Sequence, residues 1–358
     1  MSNLYIGLIS GTSMDGIEAV LVDFSERTTV IAAHTEPFPE VLKTRLEVLH
    51  TDPKISLLEL GNIDVMLGKA FAKAALTVLS KSTYTIKDIK AIGSHGQNIC
   101  HHPHGEQPFT LQIANPHWIA ELTGMKTVAD FRQRDIVLGG QGAPLAPLLH
   151  ATLMKSNTIN RAIVNIGGVA NVSLLPHDHK NIIGFDTGPG NGLSDAWILK
   201  HKNKAFDHNG AWAASGKINT VLLEKLLSDP YFLKTTPKST GKEYFNLAWL
   251  QKHLTHESPE DVQATLIELT ARSILKDVDA DEIYICGGGV YNQYLMERLS
   301  VLSSAKVQST SVLGIEPGQV EAILFAWLAK CRLENMRMNT TSVTGAKKPV
   351  LLGTVYEI

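Results

Sequence analysis

A chain of 358 residues is long enough for two domains, and 44% hydrophobic against 19% charged residues is the balance of a globular protein with a sizeable core. The 33 basic and 35 acidic residues, with no long run of one sign, exclude a polyanion surface for nucleic acid or acidic lipid. Cys100, Cys286 and Cys331 are far apart and form no CxxC, which fits unpaired thiols in a reducing compartment. The opening MSNLYIGLISGTSMDG has no basic n-region, its apolar run is broken by glycine and serine, and no later stretch offers ~18 apolar residues. A cytoplasmic protein with no membrane partner is expected.

The chain opens on three short apolar runs, Leu4 to Ile9, Ile17 to Phe24 and Thr29 to His34, which read as a β-meander. Between the first two, GTSMDG forms a turn whose glycines expose backbone N–H groups while Thr12 and Ser13 add hydroxyls, so it could cradle a phosphate. Asp15 could hold Mg²⁺ through water. The same residues also read as a plain hairpin turn with an Asp-Gly pair. They are not a GxxxxGK[ST] loop, because no lysine follows and the turn leads into a strand.

Leu57 to Leu79 has helical spacing, and Ile89 to Ser94 reads as a strand followed by a loop, SHGQNICHHPHG. His101, His102 and His104 lack ligand spacing and a carboxylate partner, so the loop reads as solvated and not as a zinc site. His95 and Gln97 sit at the strand end, where polar side chains can reach a ligand. Pro116 to Gly124 reads as a helix with a glycine C-cap and Thr127 to Phe131 as a strand. In DFRQRD beyond it, Arg132 could grip a carboxylate and Asp130 could accept from hydroxyls, while Arg134 and Asp135 read as a surface pair. LGGQGAPLAP reads as a mobile loop or plain linker before a helix from Leu145 to Lys155.

The second half begins as the first did, with strands at Arg161 to Ile166, Val169 to Leu175 and Ile182 to Phe185 around a Gly167-Gly168 turn. That is an internal repeat of architecture. Asp186 follows at the third strand's end, before a Gly-Pro-Gly turn and the helix LSDAWILK, a placement that suits a general base. It also reads as a turn former. Helices are expected over Gly210 to Leu227, Ala248 to Leu254 and Pro259 to Lys276, the last capped by Ser258. A strand from Glu282 to Cys286 then ends in Gly287, Gly288 and Gly289, and a helix from Tyr291 to Val301 would aim its N–H groups at a nucleotide. Gly318 to Leu333 is the last long helix, with a buried Glu321 near its start.

The ordered set ISGTSMDG, SHGQN, DFRQRD, GGQGAPL, NIGGVANVS, FDTGPGN, PEDVQATLIELTARSI, CGGGVYN and EPGQVEA resembles the anhydro-N-acetylmuramic acid kinases. The resemblance implies an α/β fold of the actin, chaperone and sugar-kinase superfamily, two ribonuclease-H-like domains with a nucleotide cleft between them. The domains would cover 1–157 and 158–358, with the 318–333 helix packing back on the first. It implies ATP and Mg²⁺, with phosphate contacts at Gly11, Thr12, Ser13, Met14, Asp15, Gly16, Ile17 and Glu18, at Gly167 and Gly168, and at Gly287, Gly288 and Gly289. Asp186 would be the catalytic base, Arg132 and Glu321 would contact the sugar, and His95, Gln97 and Asp130 are further candidates. Ala114 and Val290 depart from the family's glycine and alanine. The implied reaction is ATP-dependent hydrolytic phosphorylation of 1,6-anhydro-N-acetylmuramic acid to N-acetylmuramate 6-phosphate in cell-wall recycling. The expected partners are that amino sugar and ATP, with a homodimer as the candidate assembly. The competing readings are an actin-like or chaperone-like ATPase and a kinase of an ordinary hexose or amino sugar.

Overall fold

The computed structural model describes residues 3–358 except 12, 13, 15, 52, 53, 179, 180, 237 and 242. Thr12, Ser13 and Asp15 of the first turn therefore lie outside the described residues. The chain forms two units, 1–149 together with 319–358, and 150–318. The sequence reading divides it after 157 and leaves the C-terminal stretch with the second unit. The difference arises because the chain after 319 returns to the first sheet.

In the first unit, β1 (Leu4–Ser10), β2 (Ile17–Asp23) and β3 (Thr29–Glu36) form an antiparallel meander. Strand β4 (Ile89–His102) lies parallel to β1, β5 (Phe109–Ile113) folds back on its far end, and β6 (Thr127–Ala129) runs parallel to it. A C-terminal strand, Thr354–Tyr356, pairs antiparallel with β6 and closes that edge. Both faces of β1 are covered, which is why all seven of its residues are buried and its sequence is a continuous apolar run. On one face Leu4, Ile6 and Leu8 meet Ile63, Leu67 and Phe71 of the helix Leu57–Ser80. Against the other lies the helix Val320–Leu333, close enough that Gly7 and Gly93 face its backbone directly.

The second unit repeats this plan. β7 (Arg161–Ile166), β8 (Val169–Leu175) and β9 (Ile183–Pro189) form the meander, and β10 (Glu282–Cys286) and β11 (Lys306–Ser309) add parallel strands beside β7. Its sheet order, β11-β10-β7-β8-β9, matches β6-β4-β1-β2-β3 of the first unit. Each unit is thus a ribonuclease-H-like α/β unit, and the repeat read from the sequence is a repeat of this topology. The core joins Val164, Phe185 and Ile285 to Ile267, Ala271 and Ile274 of the helix Pro259–Lys276, whose first turn is capped by Ser258 Oγ accepting from Asp261 N–H at 3.3 Å.

Several expected boundaries move. The polar run after Ser94 is strand and not loop, because its outer half, Gln97 to His102, pairs with β5 from Ile113 back to Phe109. His101 Nδ1 lies 3.0 Å from Thr110 Oγ1, and the His102 ring lies 5.8 Å from that of Phe109. Strand β9 likewise runs through Asp186 to Pro189, held by the Val169↔Pro189 pairing. The expected helix Gly210 to Leu227 breaks at Gly216 into Ala211–Ser215 and Thr220–Leu227. After β10 a tight turn takes up Gly288–Tyr291, and the helix begins at Gln293. The helix Glu40–Thr51 and the two 3₁₀ turns at Ile86–Asp88 and Thr310–Leu313 were not expected.

Candidate active site

The first unit gathers His95, Gln97, Arg132 and Glu321 near the ends of β1 and β6 and the middle of β4. His95 and Gln97 lie within β4, on either side of Gly96, whose φ of +73° kinks the strand, and not at its end as the sequence suggests. Arg132 follows β6 and caps a short helix, Gln133–Val137. Its Nε–H donates to His95 Nε2 at 2.9 Å and its Nη1–H to the Gly142 carbonyl at 2.9 Å. An arginine can only donate, so His95 Nε2 accepts and Nδ1, 3.0 Å from the Gly96 carbonyl, carries the proton. The ring is therefore neutral, and burial together with the adjacent guanidinium holds its pKa well below the usual value. Burial pulls Arg132 down to about 10, against Glu321 and Asp135, which oppose the fall.

The other N–H groups of Arg132 meet no acceptor among the described residues. A half-buried cation with three donors that meet no acceptor among the described residues, and no carboxylate bonded to it, is a receptor for an anion. Glu321 stands in the first turn of Val320–Leu333 and is exposed, where the sequence suggests burial. The protein around its carboxyl still raises its pKa, and the Arg132 charge opposes the rise. Glu321 has no hydrogen bond or ion pair among the described residues. Gln97 is fully buried, and among the described residues its Oε1 and the buried hydroxyls of Ser10 and Ser94 on neighbouring strand positions have no partner. Asp130, in contrast, is exposed and accepts from the Tyr356 hydroxyl of the C-terminal strand.

Asp135 is not half of a surface pair with Arg134. It is fully buried, and Oδ2 accepts from Gly142 N–H at 2.7 Å while Oδ1 accepts from the Thr344 hydroxyl at 2.8 Å. The glycine-rich loop is fastened at both ends of this contact, since Gln141 N–H also donates to the Thr344 carbonyl at 2.8 Å. The loop, read from the sequence as mobile or as a plain linker, is held by these hydrogen bonds.

In the second unit Asp186 lies beside a bulge in β9, where Asn171 pairs with Asp186 but Ala170 with Gly188. A bulge re-aims a side chain without ending the strand. The segment after Pro230–Leu233 wraps the aspartate. Asp186 N–H donates to the Lys238 carbonyl at 2.9 Å, the Tyr231 hydroxyl donates to the Asp186 carbonyl at 2.7 Å, and Thr240 N–H donates to Oδ2 at 3.0 Å. Oδ1 has no donor among the described residues. Burial pushes the carboxyl up to about 6, outweighing the Thr240 N–H that pulls it down.

Three glycine segments pack together beside it. The N–H groups of Gly190, Asn191 and Gly192 donate to the Gly167 and Gly168 carbonyls at 3.1, 2.7 and 3.1 Å. A Cβ on Gly190 would stand 2.3 Å from the Gly167 oxygen, so only glycine permits this approach. Gly287, at φ +76°, sits against Asn165, and Gly289 against Ile166. The helix Gln293–Leu302 does not offer its N-terminus freely, because Asn292 Oδ1 accepts from Leu295 N–H at 3.0 Å. In the first unit Gly11 closes a turn by accepting from Met14 N–H at 3.2 Å, Gly16 abuts the Glu36 backbone, Ile17 is buried in the core, and Glu18 pairs with Ile9 and Thr35 in the sheet.

The profile of the family described as anhydro-N-acetylmuramic acid kinase matches residues 3–358. A protein of that name from Coxiella burnetii (strain Dugway 5J108-111) is 52% identical over 98% of this chain and 97% of its own. The chain belongs to the anhydro-N-acetylmuramic acid kinase family. Another relative of that name, from Shewanella halifaxensis (strain HAW-EB4), is 47% identical over 99% of both chains. A solved structure, the activator of the 2-hydroxyisocaproyl-CoA dehydratase from Clostridium difficile with bound ADPNP, aligns over 94% of this chain and 98% of its own with TM-score 0.47 and 11% identity. For this member of the kinase family, sequence reasoning missed Lys238 and Thr240. Lys238 is buried and paired with Asp277 at 2.7 Å, which anchors the segment under Asp186, and Thr240, whose N–H meets the Asp186 carboxylate, has a buried hydroxyl with no partner among the described residues. The one signal was KSTGK, a polar run with a glycine that composition alone assigns to an open loop.

Proposed function

We infer that this chain carries out the ATP-dependent hydrolytic phosphorylation of 1,6-anhydro-N-acetylmuramic acid to N-acetylmuramic acid 6-phosphate, a step of cell-wall sugar recycling. The observation that carries the reading is Asp186, an aspartate held at its backbone and one carboxylate oxygen, with the other oxygen open and a pKa of about 6. Opening the intramolecular acetal requires water at the anomeric carbon. Asp186 takes the water's proton, the bond from the anomeric carbon to the bridging oxygen breaks, and that oxygen, now at position six, attacks the γ-phosphoryl group as ADP leaves. A base poised near neutral pH adds ~10²–10⁴-fold to such a step.

The free donors of Arg132 suit the carboxylate of a muramic acid, with Glu321 as an acceptor for sugar hydroxyls. His95 takes part by orienting Arg132, and Gln97 and Asp130 remain the further sugar candidates. Nucleotide phosphates are assigned to the Gly11–Glu18 stretch and to Gly167, Gly168 and Gly287 to Gly289, where glycines carry no side chain to obstruct approach. Mg²⁺ would neutralise phosphate charge; Asp15, the residue read as its ligand, is outside the described residues, and no step above runs through the metal. A homodimer in the cytoplasm is the proposed assembly, and sedimentation of the purified protein reads it.

ADP release measured over a panel of anhydro and ordinary amino sugars tests the assignment. Turnover should require the anhydro sugar. Because Asp186 must be ionised to act, kcat/KM should climb as pH rises through about 6 and level off above it. ADP release at one rate with every sugar, or without sugar, defeats the reading, as does an acid limb near the ordinary aspartate value.

A further inference from the structure

Arg132 and Asp135 stand one turn apart on the short helix Gln133–Val137 and its cap, so their side chains share a face. Between them they hold one residue of the glycine-rich loop. Asp135 Oδ2 accepts from the N–H of Gly142, and Arg132 Nη1 donates to its carbonyl. The conformation of Gly142, φ +69°, is therefore fixed from both sides by side chains that bracket it. Gly140 makes the fit close, since a Cβ there would fall 2.2 Å from Asp135 Oδ2.

Asp135 is held in turn from the far end of the chain. Thr344 donates its hydroxyl to Oδ1, its carbonyl receives Gln141 N–H, and Lys347 N–H donates to the Leu138 carbonyl at 3.0 Å. The sequence Thr344, Asp135, Gly142, Arg132, His95 is one continuous hydrogen-bonded line through the first unit. The guanidinium in this line keeps three donors that meet no acceptor among the described residues.

We propose that Asp135 is a positioning residue for sugar binding: through Gly142 it sets the orientation of Arg132, and the segment around Thr344 sets Asp135. The C-terminal stretch is on this account a built part of the sugar site without touching the sugar. The inference rests on the reading of Arg132 as a sugar contact.

Chemistry separates orientation from charge. An asparagine at 135 keeps one acceptor for Gly142 N–H. Its amide can donate to Thr344 Oγ1, whose proton then turns to the Thr340 carbonyl already 3.1 Å away. The frame survives and the charge is lost. Alanine leaves Gly142 N–H without its acceptor while the Thr344 hydroxyl keeps only the Thr340 carbonyl, and the guanidinium loses its seat.

The test is steady-state kinetics on the full chain with the anhydro sugar and ATP varied separately. Asp135→Ala should raise the sugar KM about tenfold or more, the size of one buried donor left unpaired, with ATP KM unchanged. Asp135→Asn should recover most of that loss. In an Arg132→Ala background the Asp135→Ala change should add nothing to the sugar KM, because the group it orients is gone. Thr344→Val provides a second route should Asp135→Ala fail to fold, with a rise of severalfold in sugar KM that also vanishes in the Arg132→Ala background. If Arg132→Ala raises the sugar KM while folded Asp135→Ala or Thr344→Val does not, or if the effects add, the relay is wrong and the Arg132 reading stands. If Arg132→Ala leaves the sugar KM unchanged, both fall.

Discussion

Asp186→Asn is expected to bind ATP and sugar nearly as the parent does and to lose ~10²–10⁴-fold in turnover. The amide oxygen can still accept from Thr240 N–H, so the strand and its wrapping segment stay in place. What is lost is the open oxygen that takes a proton from water. The same substitution should not cost stability. A carboxyl whose pKa is raised to about 6 from the ordinary aspartate value of 3.8 binds its proton more tightly folded than unfolded. Folded stability therefore declines as pH rises between those values, and the penalty is complete above about 6. An uncharged asparagine escapes it. At pH well above 6 the variant should unfold thermally at or above the parent's temperature, the trade of stability for function expected at a buried base. A folded variant that keeps more than about a tenth of the parent's turnover removes Asp186 from the role of base.

The second large effect is on folding. A methyl on Gly7 would stand 1.9 Å from the Ala322 carbonyl oxygen, and one on Gly93 would stand 1.9 Å from that of Phe325. The helix Val320–Leu333 thus rests on bare backbone of β1 and β4. Neither neighbour is a flexible side-chain end, so the helix itself must lift. Gly7→Ala and Gly93→Ala should each lose about 1–3 kcal/mol or more, as overpacked cores do. The lift begins next to Glu321, so the sugar KM should rise alongside. Gly61→Ala is the control, a helical glycine with nothing within 4 Å of the added carbon. It should gain up to about 1 kcal/mol from helix propensity. Denaturant melts in which the two sheet variants match the parent would mean that the helix is not seated as described.

These glycines show why the fold was legible and the site only partly so. The meanders could be read because β1 and β7 are apolar runs bounded by glycine turns, and that pattern is local. Asp186 was visible for the same reason, but its strand was cut short. Gly188, Pro189 and Gly190 read as a turn, whereas Gly188 and Pro189 pair with Ala170 and Val169 and Gly190 packs against the Gly167 backbone. The histidine-rich stretch after Ser94 has no strand signature of its own; it is strand because β5 happens to cover it. Asp135 next to Arg134 looks like a surface pair until Thr344, more than half the chain away, is brought to it. Ala114 is the opposite case. Its φ of +128° is a conformation that favours glycine, the residue the family resemblance leads one to expect there. The sequence departure was plain, and its cost in backbone strain was not.

The central claim is that water enters at the anomeric carbon and that the oxygen it releases, not water, takes the phosphoryl group. Turnover in heavy-oxygen water, quenched early to limit anomeric exchange and analysed by mass spectrometry, reads this directly. The account predicts label at the anomeric hydroxyl of the product and none in the transferred phosphate. Label in the phosphate would mean water attacks ATP, as in a plain ATPase, and a phosphorylated sugar without label would mean an ordinary hydroxyl kinase; either result contradicts it.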